Sequence, residues 1–158
     1  MKLMFVCHGN ICRSPMAEFI MKRMLAEEGL DTQVFVSSSA VSTEEIINGI
    51  GNPVDSRARR ELAKHGIDCQ GKRAVELTAQ DYVKYDLFVG MDKSNLCRME
   101  RIFGGDPDGK IHLLLEDTDP PEEVSDPWYT GRFDVAYRDI DRGCAYLLQS
   151  LIKSELGQ

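Results

Sequence analysis

The stretch LMFVCHGNICRSPM, residues 3–16, predicts how the chain begins to fold. Its first four residues form a continuous apolar run that stops at a glycine-containing loop, as a buried parallel strand does. Ser14 and Pro15 then supply a cap-like residue and a first-turn proline, and apolar residues follow at helical spacing until Gly29. The stretch therefore predicts a strand, a loop and a helix in that order.

The same alternation continues along the chain. Further extended runs lie at residues 33–37, 86–91 and 111–115, and further helical patterns at 57–65, 79–85, 95–102 and 135–153. Strands that alternate with helices indicate a parallel sheet joined by right-handed crossovers. We therefore predict one α/β domain over residues 1–158, a four-stranded parallel sheet with helices on both faces. The polar, glycine-rich residues 38–55 are predicted to be a long loop.

Composition limits the function. Hydrophobic residues make up 42% and charged residues 28%, the balance of an ordinary globular protein. The net charge of -7 repels nucleic acid and anionic membranes, so neither is expected as a partner. The apolar run that opens the chain is too short to be the hydrophobic region of a signal peptide. No run approaches the ~18 apolar residues of a membrane span. We expect a cytoplasmic protein.

The cysteines favour a reduced protein without a metal. Their number is odd and their spacing is not that of a secreted disulfide scaffold. No Cys-x-x-Cys motif occurs and the three histidines are scattered, so neither a metal site nor a cofactor is expected. The five cysteines are Cys7, Cys12, Cys69, Cys97 and Cys144.

The loop from Cys7 to Arg13 is the candidate chemical centre. Ligands of such sheets bind at the carboxyl ends of strands, and a loop that leads into a helix can turn its N–H groups inward around a phosphate-like dianion. The same positive surroundings favour the Cys7 thiolate, and Arg13 offers a planar fork for phosphoryl oxygens. The Ser14 hydroxyl is suited to donate to the Cys7 sulfur, to cap the helix, or to do both.

A resemblance to a known family starts from these residues. Residues 6–18, VCHGNICRSPMAE, resemble the signature of the low-molecular-weight protein tyrosine phosphatases. Further segments match that family in its own order along most of the chain: Ser39-Ala40, Gly51-Asn52-Pro53, His65-Gly66-Ile67, Met91-Asp92-Lys93-Ser94-Asn95-Leu96 and Asp126-Pro127-Trp128-Tyr129.

The resemblance implies a mechanism. Cys7 would attack phosphorus and form a cysteinyl phosphate, and Asp126 would protonate the leaving phenolate and later deprotonate water. Arg13 would bind the phosphoryl oxygens, and Trp128 and Tyr129 would form an aromatic wall. The remaining residues expected to bind substrate through the loop are His8, Gly9, Asn10, Ile11 and Cys12. His8 is expected at the rim, and Asn10 in a left-handed conformation.

The implied substrate is a phosphotyrosine-containing protein or a small aryl phosphate, bound by a monomer or weak homodimer. One alternative is thiol-dependent arsenate reduction, but Cys69 and Cys97 are too far apart in sequence for a short redox helix. A second is a phosphate-binding module without turnover, against which the trio of Cys7, Arg13 and Asp126 argues.

Several roles stay open. Cys12 is a small loop residue, a disulfide partner that protects Cys7, or a second catalytic group; the resemblance favours reversible protection. Asp92 either caps a helix or supports the loop and the acid.

Two features depart from the family pattern. Residues 41–54 contain no aromatic side chain, so one pocket wall is expected to be aliphatic and acidic. Lys72 stands where the family commonly has a histidine, and we expect it to donate a hydrogen bond to Asn10.

Overall fold

The computed structural model describes residues 1–154, and a four-stranded parallel sheet lies at its centre. Residues 155–158, which complete the predicted domain 1–158, lie outside the described part. The elements in chain order are β1 (Lys2–Cys7), α1 (Arg13–Glu27), β2 (Phe35–Ala40), β3 (Ile46–Ile47), β4 (Ile50–Gly51), α2 (Ser56–Lys64), α3 (Asp81–Lys84), β5 (Leu87–Gly90), α4 (Lys93–Phe103), β6 (Ile111–Leu113), α5 (Pro127–Thr130) and α6 (Phe133–Ser154).

The sheet has the strand order β2-β1-β5-β6, and all three pairings are parallel. Strand β1 is an inner strand, and Val6 is in register with Ser39 on one side and Gly90 on the other. The carboxyl ends of these strands therefore meet at the edge where the loop after Cys7 begins. The predicted α/β fold is confirmed.

The side chains of β1 alternate between two cores, which explains why its sequence is apolar throughout. Leu3, Phe5 and Cys7 belong to the core formed with α1, α2 and α6. Met4 and Val6 belong to the core on the opposite face, beneath α3 and α4. Helices thus cover both faces of the sheet, as predicted.

The prediction of one long loop over residues 38–55 is wrong. Strand β2 continues to Ala40, and β3 and β4 form a small antiparallel hairpin. The turn between them is Asn48-Gly49, in which both residues have positive φ, 53° and 77°. Two positive φ values characterise the type I′ turn, which suits the twist of a hairpin.

The region before the last helix also differs from the prediction. Residues 117–126 follow β6 as a loop, but a short helix, α5, then separates them from α6. Asp126 caps this helix and Pro127 occupies its first turn, which is the local reason that it forms here. Within residues 1–154, no helix has the length and apolar character needed to cross a membrane.

Candidate active site

The loop after β1 is held open by backbone hydrogen bonds to its neighbours. The carbonyls of Cys7 and His8 accept from the amides of Val41 and Ser42, at 3.1 and 3.0 Å. At the other end, the Ile11 carbonyl accepts from the Asp55 amide at 2.8 Å. The loop is therefore fixed by the segment after β2 and by the start of α2.

Asn10 gives the loop its curvature. Its φ of 59° is in the left-handed region, as predicted from the sequence. Its side chain is fully buried and does not line the cavity that contains Cys7, so it lies behind the loop. Asn10 therefore supports the loop, and any contact it makes with substrate must come from its backbone.

The Cys7 sulfur lies next to Ser14. Its Sγ atom is 2.9 Å from the Ser14 hydroxyl and 3.4 Å from the Ser14 amide, at the first turn of α1. Both residues are buried. Hydrogen-bond donors at this distance, together with the start of a helix, stabilise a thiolate over a thiol.

The direction of the Ser14 hydroxyl follows from a chain of hydrogen bonds behind the loop. The Val75 amide donates to Asn10 Oδ1 at 3.0 Å, which fixes the orientation of the Asn10 side chain. Asn10 Nδ2 then donates to the hydroxyls of Ser14 and Ser38, at 2.7 and 2.9 Å. Because Ser14 accepts from Asn10, its own hydrogen has two acceptors in reach: the Cys7 sulfur at 2.9 Å and, at the longer distance of 3.5 Å, the Ser39 carbonyl.

Glu18 ends this chain. The Ser38 hydroxyl donates to Glu18 Oε1 at 2.6 Å, and a carboxylate can only accept. Glu18 is buried on α1, and Lys22 Nζ donates to its other oxygen at 2.6 Å. The network from Glu18 through Ser38 and Asn10 to Ser14 is therefore fully paired, and its donor direction diverges from Asn10, which donates to both serines.

Lys72 does not contact Asn10, and the predicted hydrogen bond is wrong. Its Nζ atom donates instead to the Ser38 carbonyl at 3.0 Å and lies 3.6 Å from Glu18 Oε1. The hydrogen-bonding atoms of Asn10 are already taken by Val75, Ser14 and Ser38. Burial lowers the pKa of Lys72, and the negative charge of Glu18 opposes that effect.

Arg13 lies beneath the loop and is anchored on one side. Its Nη1 atom donates to Asp92 Oδ2 and to the Val124 carbonyl, each at 2.8 Å. Its Nη2 atom is 3.4 Å from Asp126 Oδ2. Burial opposes the charge, but Cys7, Asp92 and Asp126 together raise the pKa of Arg13. Arg13 is thus a fixed cation whose Nε and Nη2 edge is available to an anion.

Asp92 caps a helix, which was one of its two open roles, and it also binds Arg13. Its Oδ1 atom accepts from the Asn95 amide at 2.8 Å and caps α4, while Oδ2 accepts from Arg13. The sheet edge and the guanidinium are therefore tied to the same carboxylate.

Asp126 faces Arg13 from the opposite side of the cavity. It caps α5 by accepting from the Trp128 amide at 3.0 Å, and it is 27% exposed. Trp128 and Tyr129 on α5 are 53% and 85% exposed. The Arg57 guanidinium, held by Asp55, lies 5.3 Å from the Trp128 ring centroid. Arg57 thereby connects the start of α2 to the helix that carries the acid.

These side chains surround a cavity of about 130 Å³. Trp128 and Tyr129 form an aromatic part of its lining, and Glu44 and Glu45, directly before β3, form an acidic part. His8 lies at the rim, where its Nε2 atom is 3.0 Å from Glu44 Oε2. The residues that line the cavity are Cys7, His8, Gly9, Ile11, Cys12, Arg13, Glu44, Glu45, Asp126, Trp128 and Tyr129.

The structure therefore gathers most of the predicted site residues at one cavity, while Asn10 and Ser14 lie behind it. Cys12 lines the cavity as a free thiol, and burial is the main cause that raises its pKa. Glu18, Ser38 and Arg57 were missed by sequence reasoning: Glu18 ends the 6–18 signature but was given no role, and no local motif indicates Ser38 or Arg57. Among residues 1–154, no cluster of three or more His, Cys, Asp or Glu is arranged to hold a metal ion.

Comparisons with known proteins agree with this geometry. Residues 2–156 match the family model described as low molecular weight phosphotyrosine protein phosphatase. The phosphatase of that family from Rattus norvegicus is 34% identical, with 93% of each chain covered.

Solved structures give the same result. The crystal structure of YfkJ from Bacillus subtilis superposes with a TM-score of 0.91 at 34% identity, covering 98% of this chain and 96% of that one. The structure titled DARP, drosophila arginine phosphatase, has a TM-score of 0.84 at 30% identity, covering 98% and 99%. An α/β fold with a cysteine and an arginine in a loop around an anion-sized cavity thus places the protein among phosphoric monoester hydrolases. The chain belongs to the low molecular weight protein tyrosine phosphatase family.

Proposed function

We propose that the protein hydrolyses phosphotyrosine and small aryl phosphates through a cysteinyl phosphate on Cys7, with Asp126 as general acid and base. One observation carries the proposal. Cys7, Arg13 and Asp126 line the same cavity, with Trp128 and Tyr129 beside the acid. A nucleophile, a fixed cation, an acid and a flat aromatic wall are the groups that an aryl phosphate requires.

In the first step the Cys7 thiolate attacks phosphorus, and the bond between phosphorus and the phenolic oxygen breaks. The proton of Asp126 goes to the departing oxygen, so the product leaves as a phenol. The Nε and Nη2 edge of Arg13, whose Nη2 also lies 3.4 Å from Asp126 Oδ2, and the inward loop amides bind the phosphoryl oxygens. Their positive charge is in place before the reaction, because Asp92 and the Val124 carbonyl anchor Nη1.

In the second step Asp126, now a carboxylate, takes a proton from water. The water oxygen attacks phosphorus, the sulfur–phosphorus bond breaks, and inorganic phosphate is released. The departing Cys7 thiolate accepts a hydrogen bond from Ser14. Every charge and proton in this scheme is carried by a residue of this chain, so the proposal includes no cofactor.

The proposal extends to the setting of the enzyme. The five cysteines are all free, which suits a monomer or weak homodimer in the reducing cytoplasm. In that setting Cys12 is available as the protective partner of Cys7. The domain is proposed to span residues 1–158.

The test uses para-nitrophenyl phosphate, phenyl phosphate and a phosphotyrosine peptide with wild type, Cys7→Ser and Asp126→Asn. We expect Cys7→Ser to abolish turnover and Asp126→Asn to lower kcat for phenyl phosphate by about 10²–10⁴-fold. The loss should be smaller for para-nitrophenyl phosphate, because nitrophenolate leaves readily without a proton. Denaturing mass spectrometry of the quenched wild type should find phosphate on Cys7.

Equal rates in all three proteins would exclude this mechanism. Turnover of arsenate with a thiol reductant, without aryl phosphatase activity, would favour arsenate reduction. Binding of phosphate without turnover would indicate a binding module. A phosphoarginine peptide is included as a further substrate because one structural relative is named an arginine phosphatase.

A further inference from the structure

Helix α2 presents a basic face beside the active-site cavity. Arg57, Arg60 and Lys64 are three and four residues apart, so they lie on the same side of the helix. Together with Gly131 and Phe133 they line a groove of about 340 Å³, distinct from the cavity that contains Cys7.

The groove has an excess of positive charge. Three cations and two carboxylates line it, so the excess is one positive charge; Lys64 is the partner of one carboxylate, and Arg57 is paired with Asp55 at 3.0 Å. Glu61 is buried and paired with Lys64 and His65, and Asp134 is paired with Arg132 at 3.0 Å. The Arg60 side chain forms no ion pair or hydrogen bond with any other residue between 1 and 154. This local excess is found on a chain whose net charge is -7.

The groove and the cavity share a wall. The Arg57 guanidinium lies 5.3 Å from the Trp128 ring centroid and 4.7 Å from that of Phe133. Trp128 lines the cavity, whereas Phe133 lines the groove. A chain that leaves the cavity past Trp128 therefore passes directly onto α2. On the other side of the cavity the wall is acidic, formed by Glu44 and Glu45.

We propose that this groove binds acidic side chains on one flank of a phosphotyrosine substrate, and that Arg60 and Lys64 select them. The inference rests on the proposed function, since the phosphotyrosine is held by the Cys7 loop. Charge complementarity supports it on both sides, because the acidic wall disfavours acidic residues on the other flank.

The spacing of the charges sets where the acidic residues stand. From Arg57 to Lys64 the helix rises roughly 10 Å, at 1.5 Å per residue. An extended peptide covers that distance in about three residues. The preferred acidic positions therefore form a run of about three residues, all on one flank of the phosphotyrosine.

The test compares phosphotyrosine peptides that carry three aspartates on the amino flank, three on the carboxyl flank, three lysines on either flank, or no charge. The enzymes are wild type, Arg60→Glu and Arg59→Glu. Arg59 is on the same helix but does not line the groove, so Arg59→Glu makes the same charge change elsewhere. Arg57 is left unchanged because it also packs on Trp128.

For wild type we expect kcat/KM for one acidic peptide to exceed that for its lysine counterpart by about five- to tenfold, falling at high salt. Arg60→Glu should remove that preference, and Arg59→Glu should retain most of it. Para-nitrophenyl phosphate has no flanking residues, so its turnover reports on the catalytic centre alone.

Other outcomes separate the two proposals. Equal kcat/KM for all peptides in wild type would contradict the proposal that the groove binds acidic residues. An equal loss of the preference for acidic peptides in Arg60→Glu and Arg59→Glu would also contradict it. Fluorescence anisotropy of the peptides with Cys7→Ser measures binding without turnover. A binding preference that Arg60→Glu removes would support the groove even if wild type failed to hydrolyse any aryl phosphate, whereas that failure would refute the proposed function.

Discussion

At the scale of single residues, the hydroxyl of Ser14 is the closest hydrogen-bonding group to the Cys7 sulfur. Its removal in Ser14→Ala takes away a hydrogen bond to a charged group, for which about 1.5–3 kcal/mol is typical. We expect kcat for para-nitrophenyl phosphate to fall by about 10- to 100-fold.

Ser39 provides the matched control for Ser14. It is also a buried serine near the loop, but its hydroxyl has no hydrogen-bond partner among residues 1–154. Ser39→Ala should therefore keep wild-type kcat and leave the free energy of unfolding unchanged or higher. A similar loss of kcat in both variants would show that Ser14 acts through packing alone.

Cys12 and Cys144 are expected to react more slowly than Cys7 with alkylating reagents. Burial raises the pKa of Cys12 and of Cys144, so both stay protonated and unreactive at pH 7. Peptide mapping after brief treatment with iodoacetamide should find the label on Cys7 and on the exposed Cys97. Inorganic phosphate should protect only Cys7. Rapid labelling of Cys12 at pH 7 in the folded enzyme would contradict this assignment.

Prediction from sequence works at this scale where the chemistry is local. Cys7, Arg13 and Ser14 share one short segment, and the Asp126-Pro127-Trp128-Tyr129 segment identifies the acid by resemblance. Glu18 and Ser38 are 20 residues apart in sequence and meet only because α1 packs on β2. No local pattern could show that Ser38, bound to Glu18, accepts a hydrogen bond from Asn10.

At the scale of elements, the hairpin of β3 and β4 depends on a close backbone approach at Gly51. A Cβ atom there would lie 2.0 Å from the Ala74 carbonyl oxygen, and backbone cannot move aside as a side chain can. Gly51→Ala should lower the free energy of unfolding by about 3 kcal/mol or more. It should also raise KM for aryl phosphates, since the hairpin segment carries the Glu45 wall.

Gly49 is the control in the same hairpin. An added methyl group would meet nothing within 4 Å, and only the positive φ of 77° is unfavourable. Gly49→Ala should therefore cost about 1–2 kcal/mol and leave KM near the wild-type value. Urea unfolding and steady-state kinetics measure both effects. Equal losses of stability would show that the contact with Ala74 is not decisive.

The hairpin was missed because its strands have two residues each, too few for an alternating pattern. The signal that could have found it is the dipeptide Asn48-Gly49, the strongest short-range indication of a type I′ turn. Helix α5 is likewise too short for periodicity, although Asp126-Pro127 has the form of a cap followed by a first-turn proline. Both elements are indicated by their turn and cap residues and not by a hydrophobic pattern.

At the scale of the whole molecule, stability and chemistry depend on different contacts. Helix α6 packs against the sheet region through Gly143, where a Cβ atom would lie 2.5 Å from Leu114 Cγ. Gly143→Ala should therefore lower the free energy of unfolding by about 1–3 kcal/mol through overpacking. Below the unfolding transition, kcat should equal that of wild type, because neither residue lines the Cys7 cavity.

A double variant checks the cause. Leu114→Ala alone removes buried side-chain volume and is destabilising by about 2–5 kcal/mol. In Gly143→Ala with Leu114→Ala, the new methyl group occupies part of that space. The double variant should lose less free energy of unfolding than the sum of the two single losses, as measured by urea unfolding. If the two single losses of free energy of unfolding add exactly in the double variant, the strain in Gly143→Ala does not come from contact with Leu114.

The overall architecture was predictable because apolar runs and helical patterns alternate along the whole chain. The strand order was not, since pairing of β1 with both β2 and β5 is a property of the assembled sheet. That order brings Cys7, at the end of β1, close to Asp92 beyond the end of β5. The separation of basic and acidic surfaces on the two sides of the cavity is also visible only after folding.

The network of hydrogen bonds that joins Glu18 to Cys7 has a consequence for how this enzyme can change over evolutionary time. Asn10 donates to both Ser14 and Ser38, and Ser38 donates to Glu18, so a replacement at Asn10 or Ser38 removes a hydrogen-bond partner from each neighbour. A substitution at one position leaves its neighbours without a hydrogen-bond partner. Glu18, Ser38, Asn10 and Ser14 are therefore expected to be inherited as a unit, with compensating changes arising together.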